Sequence, residues 1–351
     1  RLIECAMALI GALPGGLALV NVVSCMLFGA ISGSAVATTS AIGSFMLPEM
    51  KKAGYEPNFS AAVTAAASTT GMLIPPSNIL IVYAIASGGV SIAALFMAGY
   101  IPGIMVGLAL MLVCFIYAKM KGYPLSPRLP IKVVVEKTIA ALPSLFLIFL
   151  VIGGIVGGVF TATEAGAIAV VYSLLLAVVF YKEVDAKALP DIFLKAAETT
   201  AIVMLLIAAS TAMSWLLSFE NIPQTLSNAL LSISDNPLLI LLLINLLLIV
   251  VGAFLDMTPA VLIFTPIFLP VALELGMSEL QFGIMLVLNL SIGLCSPPVG
   301  AVLFITCAIA KTKLENIIRP LIPLYVAMFV VLMLVTYVAW FSEALPRALG
   351  F

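Results

Sequence analysis

Gly71 to Asn78, reading GMLIPPSN, sets two adjacent prolines, Pro75 and Pro76, inside an apolar run from Ala61 to Ala86. A run of that length crosses a bilayer as a helix at about 1.5 Å per residue. Proline removes a backbone donor and clashes with the preceding turn, so the expected helix breaks here. Backbone groups freed within hydrocarbon must be buried in protein or bind something. Gly293 to Gly300, reading GLCSPPVG, repeats the feature in a second apolar stretch.

The two breaks share one register. A constant offset of 222 pairs Pro75 with Pro297, Pro76 with Pro298, Gly71 with Gly293, Pro48 with Pro270 and Gly54 with Gly276, and also Leu47 with Leu269 and Ala86 with Ala308. Gly and Pro fix backbone geometry, so their coincidence points to a structural repeat rather than to shared apolarity. Paired interrupted helices in two halves of a chain point to the binding site of a secondary transporter.

Composition agrees. The 351 residues are 64% hydrophobic and 9% charged, with mean hydropathy +1.28, the profile of a polytopic membrane protein. Net charge is −1, with no basic block to suggest nucleic acid. Histidine is absent, which excludes His-based metal sites, triads and proton relays. Cys5, Cys25, Cys114, Cys295 and Cys307 sit in apolar segments without a CxxC and read as buried thiols. The 16 Met read as lipid- or core-facing filler, and no signal peptide is visible.

Along the chain, residues 1–14 read as a short amphipathic entry. Residues 15–50 hold two apolar arms joined at Ile31-Ser32-Gly33-Ser34. Each arm makes about 24 Å of helix, short of the ~30 Å core, so a re-entrant hairpin is expected. The broken helix follows at 58–86, then a span at 92–118. A basic loop at 119–137 carries Lys119, Lys121, Arg128, Lys132 and Lys137. Scaffold spans are expected at 139–159 and 164–181, joined by a turn at Phe160–Thr163. An amphipathic connector with Lys182, Lys187 and Lys195 leads to a span at 199–218. The second half repeats the first: hairpin 237–275 with its tip at Leu255-Asp256-Met257-Thr258, broken helix 279–310, and a last span at 320–342. The chain thus divides into a first repeat at 1–118, a scaffold segment at 119–198 and a second repeat at 199–351.

Basic residues set the orientation. With Lys51-Lys52 in the cytoplasm, every Lys and Arg except Arg347 falls on that side. Phe219–Pro237 and Glu274–Phe282, flanking the second hairpin, contain none. The first hairpin then opens inward and the second outward, an inverted-topology repeat. Because residues 138–222 have no counterpart before Arg1, about three further N-terminal helices are expected by that symmetry.

The chemistry is expected where both tips and both breaks meet near the midplane. Helix N-termini there attract anions. Ser34 and Ser77 read as N-caps, with Ser32 and Asn78 beside them; Asp256 and Thr258 hold the equivalent place in the second half. Carbonyls freed at Thr70–Ile74 and Ile292–Ser296 offer hard cations all-oxygen ligands. The expected cargo ion is sodium, one per half, though the residues alone do not separate sodium from protons. Asp256 and Glu164 are the carboxylates well inside apolar stretches. Asp256 is expected at the site and Glu164 as a first-turn carboxylate favouring its helix. Ser68, Thr69 and Thr70 fit helix packing as well as ligation, and Asn78 and Asn289 fit either role. Trp215 and Trp340 read as interface anchors. An intramembrane enzyme is disfavoured by the missing histidines and the lack of HExxH or GxSxG. A channel is disfavoured by the lack of a charged ring or filter loop.

The chain resembles the large membrane subunit of the tripartite ATP-independent periplasmic (TRAP) transporters. The matching stretches are RLIECAMALIGALPGGLALVNV, LFGAISGSAVATTSAIGSFMLPEMKKAGY, LIPPSN, TATEAGAIAVVY and LNLSIGLCSPPVGAVLF. The resemblance implies an all-α, elevator-type fold like that of the ion-transporter superfamily, in the bacterial inner membrane. It implies sodium-coupled import of a C4-dicarboxylate, sialic acid or sugar acid. It also implies two partners, a small four-helix membrane subunit and a periplasmic substrate-binding protein. By match, Ser32, Ser77 and Asp256 face substrate. The sodium sites use Ser32, Gly33 and Ser34 with Gly71 to Pro75 (Ile74 among them), and Gly252 to Thr258 with Gly293 to Pro297 (Ser296 among them). Thr38 and Val302 depart from the pattern, standing where many members carry an acidic residue and an asparagine. A standalone sodium/anion symporter or exchanger, without a binding protein, is the alternative within transport.

Overall fold

The computed structural model describes residues 1–123, 130–222, 225, 229 and 236–351, apart from the side chain of residue 218. Arg128 and most of the expected outer segment between Phe219 and Pro237 lie outside the described residues. Among the described residues every regular element is helical, and seven helices are long and apolar enough to cross a membrane.

A short α1 (Leu2–Ile10) leads into α2 (Gly16–Ser32) and α3 (Ala35–Lys52), which turn at Gly33 with φ +61. α4 (Pro57–Ser68) stops at a 3₁₀ turn, Thr70–Met72, and the helix restarts beyond the prolines as α5 (Asn78–Ala86). α6 (Ile92–Lys121), α7 (Ile131–Val156) and α8 (Ala162–Leu174) follow, α8 running on as a π-helix over Leu175–Phe180. After a 3₁₀ turn at Ala186–Ala188 comes α9 (Leu189–Phe219). α10 (Pro237–Phe254) and α11 (Met257–Glu274) turn at Leu255-Asp256. α12 (Glu279–Leu294) breaks before the second prolines, and α13 (Ala301–Ala310) resumes. α14 (Leu314–Tyr337) and the amphipathic α15 (Trp340–Ala348) close the chain. The Pro75–Pro76 and Pro297–Pro298 bonds are both cis.

Several boundaries differ from the sequence reading. α6 runs to Lys121, where Gly122 at φ +65 ends it. The basic loop shrinks because α7 begins at Ile131; its first turns are held to α1 by Lys137 on Glu4 at 3.0 Å. The turn expected at Phe160–Thr163 falls at Gly157–Thr161, because Thr161 and Glu164 form a capping box that starts α8 at Ala162. The connector and the span after it are one helix. Pro190 falls in its first turn, where proline interrupts nothing, so helix continues across the expected boundary at 198/199. The last span is Leu314–Tyr337, and Trp340 starts a separate helix.

The core forms where the two parts of the chain interlock. α3 packs against α13, and α11 packs against α5, so the second arm of each hairpin lies on the resumed helix of the other half. α12 lies beside α10, α14 and α6, while α4 lies beside α2, α3 and α14. Polar bonds fix these crossings. The Asn21 amide donates to Thr64 Oγ1 at 2.6 Å, and the Asn289 amide donates to Asn245 Oδ1 at 2.8 Å. The Tyr83 hydroxyl donates to the Glu279 carbonyl at 2.7 Å, tying α5 to the start of α12. Such interhelical bonds are worth about 0.6–2 kcal/mol each in a membrane. Of the remaining helices, α7 packs on α1, α8 and α6, and α9 packs on α11.

Candidate functional site

Each tip meets the break of its own half at a glycine–glycine crossing. A Cβ on Gly71 would lie 2.2 Å from the Gly29 Cα, and one on Gly293 would lie 2.5 Å from the Gly252 Cα. Backbone on both sides leaves no room for a side chain. Each crossing therefore sets the edge of a break, a 3₁₀ turn at Gly71 and the last turn of α12 at Gly293, against the last helical turn before a tip.

In the first half, Ser32, Gly33, Ser77 and Asn78 line one cavity of about 550 Å³, together with Pro76 and apolar residues of α7, α8 and α9. The Ser34 hydroxyl accepts from the Ala37 amide at 3.2 Å and caps α3, as its position implied. Ser32 Oγ sits 3.1 Å from Thr38 Oγ1, and Thr38 donates to the Ser34 carbonyl at 2.8 Å. Thr38 thus stands inside the tip's bond network, buried. Ser77 does not cap α5. It donates instead across the break to the Met72 carbonyl at 2.5 Å, because the turn folds that carbonyl back toward it. Thr70 returns its hydroxyl to the Ala67 carbonyl at 2.6 Å, and Ser68 and Thr69 do the same one turn back. Their hydroxyl oxygens keep acceptor lone pairs. Gly71, Ile74 and Pro75 are buried; Asn78 is exposed, with its Oδ1 3.0 Å from a Cβ built on Gly33.

In the second half, Gly252 and Gly293 are buried, Thr258 is half-buried, and Asp256 and Pro297 are exposed. Asp256 occupies the N-cap position of α11 but its carboxylate makes no capping bond. Ser296 donates to the Ile292 carbonyl at 2.9 Å. Tyr325 of α14 donates to the Cys295 carbonyl and lies 3.2 Å from Ser296 Oγ. The expected residues therefore fall into two groups, one at each tip and break, and Asp256 does not line the first-half cavity. Glu164 belongs to neither group. It accepts from the Thr161 amide at 2.8 Å, the local role its spacing implied.

Reading along the chain missed Tyr325, Gly29 and the Asn21–Thr64 pair. No periodic signal marks Tyr325, since its partner lies 30 residues away. Gly29 and Asn21 were legible only as apolar-arm residues. The donor sets at both breaks are hydroxyls and carbonyls, which suit a hard cation. Among the described residues no group of three or more His, Cys, Asp and Glu side chains is placed to hold a metal.

On the side that carries the basic residues, the Lys121 ammonium beside Glu56 holds its carboxyl below the usual value, and the Tyr117 hydroxyl adds to this. Lys137 does the same to Glu4.

Residues 1–341 match the family described as "Tripartite ATP-independent periplasmic transporter, DctM component". The chain is 50% identical over 346 residues to the uncharacterized protein YgiK of Salmonella typhimurium, covering 99% of this chain and 79% of that protein. It is 39% identical over 350 residues to the C4-dicarboxylate TRAP transporter large permease protein DctM of Pseudomonas aeruginosa, covering 100% of this chain and 82% of the relative. It is 36% identical over 347 residues to the sialic acid TRAP transporter large permease protein SiaM of Vibrio cholerae, covering 99% and 81%.

Proposed function

Because the chain belongs to the DctM component family of tripartite ATP-independent periplasmic transporters, multi-pass permease subunits of the inner membrane, we propose that it carries an organic acid anion inward on a sodium gradient. The substrate class is that of the relatives, a C4-dicarboxylate, sialic acid or sugar acid. The observation that carries this reading is the pair of interrupted helices, each held against a hairpin tip by a glycine crossing. Broken backbone of this kind is tolerated in a membrane where it lines a ligand site.

In this reading the two halves are inverted repeats and the hairpins are re-entrant. Ser32, Gly33, Ser34, Thr70, Gly71, Ile74 and Pro75 supply oxygens to one sodium ion. Gly252, Asp256, Thr258, Gly293, Ser296 and Pro297 supply them to another. Ser32, Ser34, Ser77, Asn78 and Asp256 contact the acid, helped by the N-terminal dipoles of α3, α5 and α11. Transport is an elevator movement. The interlocked body of α2–α6 and α10–α14 slides against α7–α9, which meet it at α6 and α11 and enclose the first-half cavity with it. A small membrane subunit supports the scaffold and a periplasmic binding protein delivers the acid.

Reconstitution with the small membrane subunit tests this. Uptake of the acid should require the binding protein. Full uptake without it would favour the standalone symporter, which finds no support in the family match.

A further inference from the structure

The two breaks satisfy their freed carbonyls differently. In the first, Ser77 of the break itself bonds the Met72 carbonyl at 2.5 Å. At the repeat offset, the second half has Val299 in place of Ser77, exposed and without a hydroxyl. The second break instead takes a donor from another helix, the Tyr325 hydroxyl on the Cys295 carbonyl, with Ser296 Oγ 3.2 Å away. The same offset puts Gly103 in Tyr325's place in the first half, pressed against Ile74. No tyrosine fits there.

We propose that Tyr325 is a positioning residue that tunes the second cation site: it holds the Cys295 carbonyl while no cation is bound and yields it when one enters. This rests on the sodium reading above. A freed carbonyl away from water costs free energy unless it is bonded. A phenol O–H on that carbonyl therefore stabilises the cation-free state, and a cation must displace it to use the same oxygen. Tyr325 then lowers cation affinity at the second break. It also links occupancy of that break to α14, which packs on α4, α6, α12 and α13.

The test is thermal stabilisation of the purified permease by sodium chloride, titrated against choline chloride at constant ionic strength. In Tyr325→Phe the half-maximal sodium concentration should fall about tenfold, the scale of one lost hydrogen bond to a buried group. Tyr117→Phe removes a phenol from the Glu56 cluster and should leave the half-maximal concentration where it is. A Tyr325→Phe midpoint that is unchanged or raised overturns the assignment and leaves the sodium reading standing. No sodium effect in the wild type removes both. If Tyr325→Phe does not fold, 3-fluorotyrosine at position 325 of the otherwise unchanged protein gives the answer. Its fluorine resonance should move with sodium and not with choline. A resonance that stays put while sodium still stabilises the protein overturns the assignment.

Discussion

Asp256 is exposed, and its carboxylate caps nothing in the structure. Asp256→Ala therefore strands no buried partner, and thermal stability in detergent should change by no more than ~0.5 kcal/mol. Transport should nevertheless be lost, because the substitution removes the carboxylate assigned to acid and cation. Wild-type uptake in this variant takes Asp256 out of the site. Gly71 is the opposite case, with backbone 2.2 Å from any added Cβ. Gly71→Ala should cost about 1–3 kcal/mol by overpacking and abolish stabilisation by sodium. An unchanged melting temperature contradicts the crossing. Local roles were legible in the sequence: Ser34 and Glu164 act on neighbours three residues away, a spacing any helix start reveals. Ser77 was not, because its bond to Met72 depends on the path of the break. Nor was Tyr325, whose partners lie on another helix.

Among the elements, what separates a break from a bend is the proline pair. α3, α6, α11 and α14 run through Pro48, Pro102, Pro266 and Pro270, and Pro320 and Pro323 without ending. One proline removes one bond, whereas Pro76 also drives Pro75 out of helical conformation, so both breaks could be read directly. Helix ends were less legible, since turns carrying Lys132 and Lys137 read as loop until α1 packs against them. Pro75→Ala should let helix propagate toward Asn78 and weaken sodium-dependent stabilisation; unchanged sodium affinity argues against the break as an ion site. At the far end of α4, Glu56 ties that helix to Lys121 of α6 at 2.8 Å. Its carboxyl is held below the ordinary 4.5. The tie therefore contributes above the unfolded value and is lost as pH falls through the lowered folded value. Glu56→Gln should flatten the acid-side loss of stability below about pH 4.5. The effect is small because both side chains are half exposed, and it shrinks in high salt. An acid limb identical to wild type removes the tie from the account.

For the whole molecule, the register that pairs the two breaks is legible because shared Gly and Pro positions stand out in an otherwise apolar sequence. The exchange of arms was not, because no local pattern says that α3 will lie on α13 and α11 on α5. That exchange packs the two breaks into one body, so in the proposed mechanism a cation at either would move with both. The most direct test is accumulation of the acid in proteoliposomes holding the permease and its small membrane subunit, with loaded binding protein outside. An inward sodium gradient alone should drive accumulation, and collapsing it with a sodium ionophore should end it. Accumulation that persists without sodium, or follows a proton gradient instead, contradicts the account.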